Sequence, residues 1–241
     1  MNTRRSRPTV CLLLFPVLLG LACLSSGPTG PARRDLSNYT PIPVTAKALL
    51  PPEWTPTPVV AAPTDIPGWD RFEGKGVSVW LPKSWIPGDP EQDLNEFADS
   101  LSELGGGFAQ SAEELRTNPY GLLLWAVDGT PTSSGAVTSM TVTKEDVPPD
   151  TSMRAYLDGE LQELPAEFRV VESSLAALAR YPEAAAVMFE YTARGVAFKQ
   201  VSYLIKDGAL VWTVEYGTGA LDFDGVRPTF ELSISTLAIQ P

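Results

Sequence analysis

The chain of 241 residues contains no histidine, and its two cysteines, Cys11 and Cys23, both fall within the first 23 residues. Imidazole is the commonest general base and a leading zinc ligand. Its absence excludes Ser/His/Asp and Cys/His triads, and the body of the chain has no thiol nucleophile either. Ser/Lys pairs, paired carboxylates and carboxylate-held metal remain. Lys83 and Ser84 are neighbours after a strand, where successive side chains point apart. Glu113/Glu114 and Glu145/Asp146 are acidic pairs of the kind any chain with 29 acidic residues contains, and they read as solvated surface charge. A glycosidase would need two carboxyls facing each other across a cleft. Asp222-Phe223-Asp224-Gly225 resembles the start of a calcium loop. No Glu stands at position 12 of it, however, and Glu231 falls at position 10. Gly105-Gly106-Gly107 follows a helical pattern and lacks a lysine, so it reads as a helix stop and link, not as a phosphate cradle. Trp69 and Trp85 flank the first strand in a polar, proline-containing context. They are the candidates for a ligand groove, against the alternative of core or rim packing. No catalytic residue, metal ligand or cofactor is assigned.

Charge narrows the partners. The 29 acidic residues against 18 basic ones give a net −11, which argues against nucleic acid. At the N-terminus, Arg4, Arg5 and Arg7 precede an apolar stretch from Val10 to Ala22. The stretch is short of the roughly 20 residues that span a bilayer but suits the apolar region of a signal peptide. The alternative is an uncleaved signal anchor. Leu19-Gly20-Leu21-Ala22-Cys23 resembles a bacterial lipobox, with Gly20 where such motifs usually carry leucine. The resemblance implies a signal peptide over residues 1–22 and a lipidated Cys23 as the mature N-terminus. Two or three acyl chains, at about 0.8 kcal/mol per buried methylene, make a stable anchor where one does not. The partner so implied is membrane lipid, at the extracytoplasmic face of the cell membrane.

Residues 23–66 follow as a tether. Nine of the 23 prolines fall here, interleaved with Thr, Ser and Ala, and the charges cancel. Proline removes backbone donors and fixes φ, so an extended, polyproline-like spacer is expected. The globular domain is expected over 67–241, with 12 basic and 26 acidic side chains, a net −14. Such a domain gains nothing from an anionic membrane surface, so lipid has to hold it there.

Within the domain, Val77–Leu81 alternates as a strand. Asp89 as N-cap, Pro90 and Gln92 open a helix with an apolar face of Leu94, Phe97, Ala98, Leu101 and Leu104, stopped by Gly105. A short helix is expected around 109–117. Leu122–Val127, continuously apolar, reads as a strand covered on both faces. Val137–Lys144 reads as a strand, and Met153, Tyr156, Leu157, Leu161 and Leu164 mark a helix stopped by Pro165. Strands are expected at Phe168–Leu175 and Ala185–Tyr191. A hairpin joins Ala197–Ile205 to Ala209–Tyr216 through Asp207-Gly208. Val226–Leu237 fits a helix better than a strand. Hairpins dominate and regular βαβ units are missing, which indicates an α+β fold, an antiparallel sheet flanked by helices.

The segment Phe72-Glu73-Gly74-Lys75-Gly76-Val77-Ser78-Val79-Trp80-Leu81-Pro82-Lys83-Ser84-Trp85 resembles the opening hairpin of PsbP-like domains. The later order is also similar: a helix with Tyr156, Leu157 and Leu161, a hairpin from Tyr203 to Trp212 across Lys206-Asp207-Gly208, and a closing helix with Phe230. The resemblance spans roughly 70–238. It implies an α-β-α sandwich used as a binding or assembly module, often in bacterial lipoproteins. Ala176-Ala177-Leu178-Ala179 stands where the family has a glycine, and the family's metal-linked histidines have no counterpart, so no site is carried over. The expectation is a membrane-anchored extracytoplasmic lipoprotein with a non-enzymatic module that binds an envelope protein or small ligand. The alternatives are a carboxylate- or metal-dependent envelope hydrolase and a structural spacer of the envelope.

Overall fold

The computed structural model describes residues 65–88, 93–102, 112–113, 116–117, 121–130, 132–178, 180–193 and 195–240. The expected signal peptide, Cys23, the expected tether up to residue 64, the expected cap at Asp89–Gln92, Leu104 and Gly105–Gly107 lie outside them.

β1 (Trp69–Gly74) and β2 (Val77–Pro82) form a hairpin whose two-residue turn places Gly76 at φ 75°, a conformation that favours glycine. β10 (Ala238–Ile239) adds to the other edge of β2, giving a small sheet β1-β2-β10. The large sheet comprises β3 (Trp85–Gly88), β4 (Leu122–Asp128), β5 (Ser139–Asp146), β6 (Arg169–Leu178), β7 (Tyr181–Ala193), β8 (Val196–Asp207) and β9 (Leu210–Gly219). Its order is β3-β4-β5-β9-β8-β7-β6, and every pair is antiparallel. The β8–β9 turn residues are Gly208 and Ala209, one position later than the sequence signal, with Gly208 at φ 61°.

Both faces of the large sheet are covered, as the unbroken apolar run of β4 requires. On one face, α1 (Leu94–Ser102) contributes Leu94 and Ala98, and α2 (Met153–Glu163) contributes Met153, Tyr156 and Leu157. Ser152 caps α2 by accepting from the Ala155 N–H at 3.1 Å. On the other face lie the small sheet and α3 (Phe223–Ser235), which bury Val77, Val79, Leu81, Phe223, Phe230 and Ile234 against Val214 and Tyr216. The α+β sandwich is therefore as expected, and the closing segment is a helix. No helix among the described residues is long and apolar enough to cross a membrane.

The structure differs from the sequence reading at the start of α1 and at the β6–β7 turn, and agrees with it at the short helix between them. α1 begins at Leu94, directly after Asp93, instead of at Pro90. Residues 112, 113, 116 and 117 are helical, within the short helix expected there. The strands β6 and β7 reach 178 and 181, so they form one long hairpin. The alanines at 176 and 184–186 have low strand propensity, and cross-strand pairing overrides it: Ala176 pairs with Ala184 of β7, and 184–186 pair with β8.

The end of α3 is tied to β2 by side chains that replace a missing ladder. β10 pairs with β2 only at Val77 and Ser78. Beyond that, the Trp80 N–H donates to Thr236 Oγ1 at 2.9 Å, and the Trp80 carbonyl accepts from Ser233 Oγ at 2.8 Å. Ser233 in turn accepts from Tyr216 Oη at 2.8 Å, and Tyr216 stacks on Phe230 with centroids 5.0 Å apart. A Ser233→Ala variant leaves a buried phenol and a strand carbonyl without their partner. Its expected cost is about 1–3 kcal/mol, read as a lower urea midpoint at unchanged m-value.

Candidate functional site

Strand alternation sets what each face carries. The residues of β9 that meet α3 are Trp212, Val214 and Tyr216, so Val211, Thr213 and Glu215 lie on the α2 side. Register puts Thr141, Glu215 and Ser202 abreast on β5, β9 and β8. Glu215 is 2% exposed. Its Oε1 accepts from Gln200 Nε2 at 2.9 Å and Ser202 Oγ at 3.1 Å, and its Oε2 accepts from Thr141 Oγ1 at 3.4 Å. A buried carboxyl held in this way specifies register, because a slipped strand would leave it among apolar groups without these partners. Gln200 Oε1 and Ser139 Oγ, in the next row, have no hydrogen-bond partner among the described residues.

At the end of β5, Glu145 accepts a hydrogen bond from Tyr156 of α2. Burial pushes the Glu145 carboxyl up to about 7; the Tyr156 bond opposes this and the Asp146 charge adds to it. Burial, with the charges of Glu160 and Glu145, likewise holds the Tyr156 phenol far above its ordinary range. This pair docks a helix. Among the described residues of the two acidic pairs, all read from the sequence as surface charge, Glu145 is the one the structure largely buries, because β5 runs under α2.

The open concavities lie elsewhere, around the edge strand β6. On the α3 side, Glu172 and Ser174 of β6, Ala186 and Met188 of β7, Val201 and Tyr203 of β8, and Phe223 and Arg227 of α3 line a cleft enclosing about 30 Å³. That is room for one water-sized group or the tip of a side chain. On the α2 side, Ser152, Met153, Arg154, Leu175 and the start of β7 line a shallow groove of about 420 Å³. Between them β6 exposes Val170 (38%), Val171 (41%) and Leu175 (45%). Tyr203 stands half-buried in the cleft, its phenol pushed up to about 12 by burial and the Glu231 charge.

The sequence candidates are scattered. Trp85 is 4% exposed and packs in the core beneath the small sheet, while Trp69 is half-buried on β1, and neither lines either concavity. Trp85 is buried because β3 pairs with β4 and turns its first side chain inward. Lys83 lies 3.9 Å from Asp70. Glu113 pairs with Arg116, which also binds Asp99. The carboxylate of Asp222 accepts from the N–H groups and hydroxyls of Ser133 and Ser134. Desolvation opposes these bonds, yet together they hold its carboxyl below the usual range. Asp224 pairs with Lys199 at 3.5 Å. Both acids of the calcium-like run thus staple loop 132–136 and β8 to α3. Cys23 lies outside the described residues. The β6 edge was missed because its exposed valines and leucine read as ordinary strand residues until the strand order is known.

No family model and no curated protein matches this chain. Similar solved structures include cyanobacterial PsbP from Synechocystis sp. PCC 6803, with TM-score 0.44 and 9% identity, covering 75% of this chain and 97% of that one. LpqN, involved in cell envelope biogenesis of Mycobacterium tuberculosis, has TM-score 0.43 and 14% identity, covering 68% and 83%. The Ran-binding protein Mog1p of Saccharomyces cerevisiae has TM-score 0.42 and 8% identity, covering 71% and 96%.

The raised Glu145 carboxyl makes stability pH-dependent in a defined direction. Between its ordinary value of 4.5 and about 7, the folded chain keeps a proton that the unfolded chain releases. Stability therefore falls as pH rises through that window and levels off above it. Glu145→Gln removes this slope. Urea midpoints measured from pH 4.5 to 8 should show the native protein losing up to about 3 kcal/mol relative to the variant.

Proposed function

We propose that this protein is a membrane-anchored extracytoplasmic lipoprotein whose domain is a non-enzymatic binding or assembly module. The observation that supports binding is the β6 edge: a 10-residue strand at the rim of the sheet, with exposed Val170, Val171 and Leu175 and a concavity on each side. An apolar strand edge left open is a template for another chain, and natural proteins usually blunt such edges. The anchoring part rests on the sequence, with lipid on Cys23 and residues 24–66 as a tether carrying the domain away from the membrane.

The two parts are tested separately. Cys23→Ser should lose acyl label and move from the membrane fraction to the soluble one; a variant that stays in the membrane overturns lipid anchoring. For binding, crosslinking on intact cells compares the native protein with Leu175→Asp. A partner captured by the first and lost by the second is expected. The reading fails if nothing is captured while the purified protein hydrolyses a model ester, the outcome that the hydrolase alternative requires.

A further inference from the structure

We propose that β6 takes an extended, basic segment of another polypeptide as an eighth strand of the large sheet, placing a Lys or Arg side chain of that segment beside Glu172. This rests on the binding-module reading and names its ligand class. The cleft argues for a polypeptide: at about 30 Å³ it admits a side-chain tip, far below the several hundred Å³ of sites that enclose a small molecule. The strand edge supplies the rest of the interface. Alternate backbone N–H and C=O groups of β6 face away from β7, the arrangement that strand addition uses. Register shifts between Val170 and Glu172 and between Ala176 and Leu178 bracket a regular stretch from Glu172 to Ala176. An added strand along it points successive side chains to opposite faces, one set toward the cleft of Glu172 and Ser174, the other toward the groove of Leu175.

The sign of the partner follows from local charge. Each cation near the cleft already has its own carboxylate: Arg169 with Glu190, Lys199 with Asp224 at 3.5 Å, and Arg227 with Glu231 at 2.8 Å. Glu172 is half-buried at the cleft and makes no hydrogen bond or salt bridge among the described residues. Arg227 across the cleft acts on Glu172 electrostatically but is hydrogen-bonded to Glu231, so a cation from outside would be the direct partner of Glu172. The net −14 of residues 67–241 works in the same direction, attracting a basic segment and repelling a second copy of this chain.

The test titrates the full-length protein in detergent micelles with a fluorescein-labelled heptapeptide alternating lysine and valine. Saturable binding is expected, with loss of binding when the peptide amides are all N-methylated. Glu172→Gln should weaken binding, and Glu172→Lys by about tenfold or more, while Glu172→Lys improves binding of the glutamate–valine counterpart. If the N-methylated peptide binds equally well, strand addition is wrong although the protein still binds ligands. If the glutamate peptide matches the lysine peptide on the native protein, a basic partner is wrong. A dimer in sedimentation that Val171→Lys dissolves makes the occupant a second copy and overturns the proposal. So does absence of binding by every peptide; the crosslinking comparison then reads the binding-module role independently.

Discussion

The large sheet is buried on both faces, and most of the structure follows from that constraint. β4 is apolar from Leu122 to Val127, so Leu122 and Trp125 need cover on one side while Leu123 and Leu124 need it on the other. Neither set can be left in water at about 25 cal/mol per Å² of apolar surface. α1 and α2 cover one face. The small sheet and α3 cover the other, and they form a single layer only because the Ser233 and Thr236 hydroxyls take over the backbone of Trp80 where β10 ends. A sheet sealed on both faces leaves few places for a ligand: its edges and the gaps where a covering layer stops.

The polar groups inside the sheet obey the same constraint. Glu215, Gln200, Ser202 and Thr141 are buried where a hydrocarbon side chain would pack, and they are tolerated because they bond one another across three strands. Their bonding needs β5, β9 and β8 in one register, so the network resists slippage in a sheet whose pairing is otherwise repetitive. Glu145 and Tyr156 extend the principle to the edge of α2. There the carboxyl is less completely enclosed, and the Tyr156 hydroxyl donates to it as the docking contact.

β6 is where both covering layers run out. Arg227 and Phe223 of α3 line a depression on one face, Met153 and Arg154 of α2 line one on the other, and the outer backbone edge of β6 has no neighbouring strand among the described residues. The binding reading therefore concerns an edge.

Much of the fold was legible from local chemistry. The β8–β9 hairpin, the doubly covered β4, the α2 stop before Pro165 and the closing helix each follow from patterns a few residues long, where side-chain period and turn residues act directly on the backbone. The absence of histidine and the placement of both cysteines at the N-terminus restricted the chemistry for the same reason, since composition needs no fold to be read. The site was not legible. Trp85 and Trp69 stand in a groove-like context but differ in burial because β3 joins the large sheet and β1 the small one. Glu145 looked solvated until α2 closed over it, and Val170, Val171 and Leu175 read as ordinary strand residues until β6 proved to be the last strand. Side-chain type and spacing determine which elements form. Strand order and the reach of the covering helices decide which of those side chains meet solvent, since exposure is set by residues far apart in the chain.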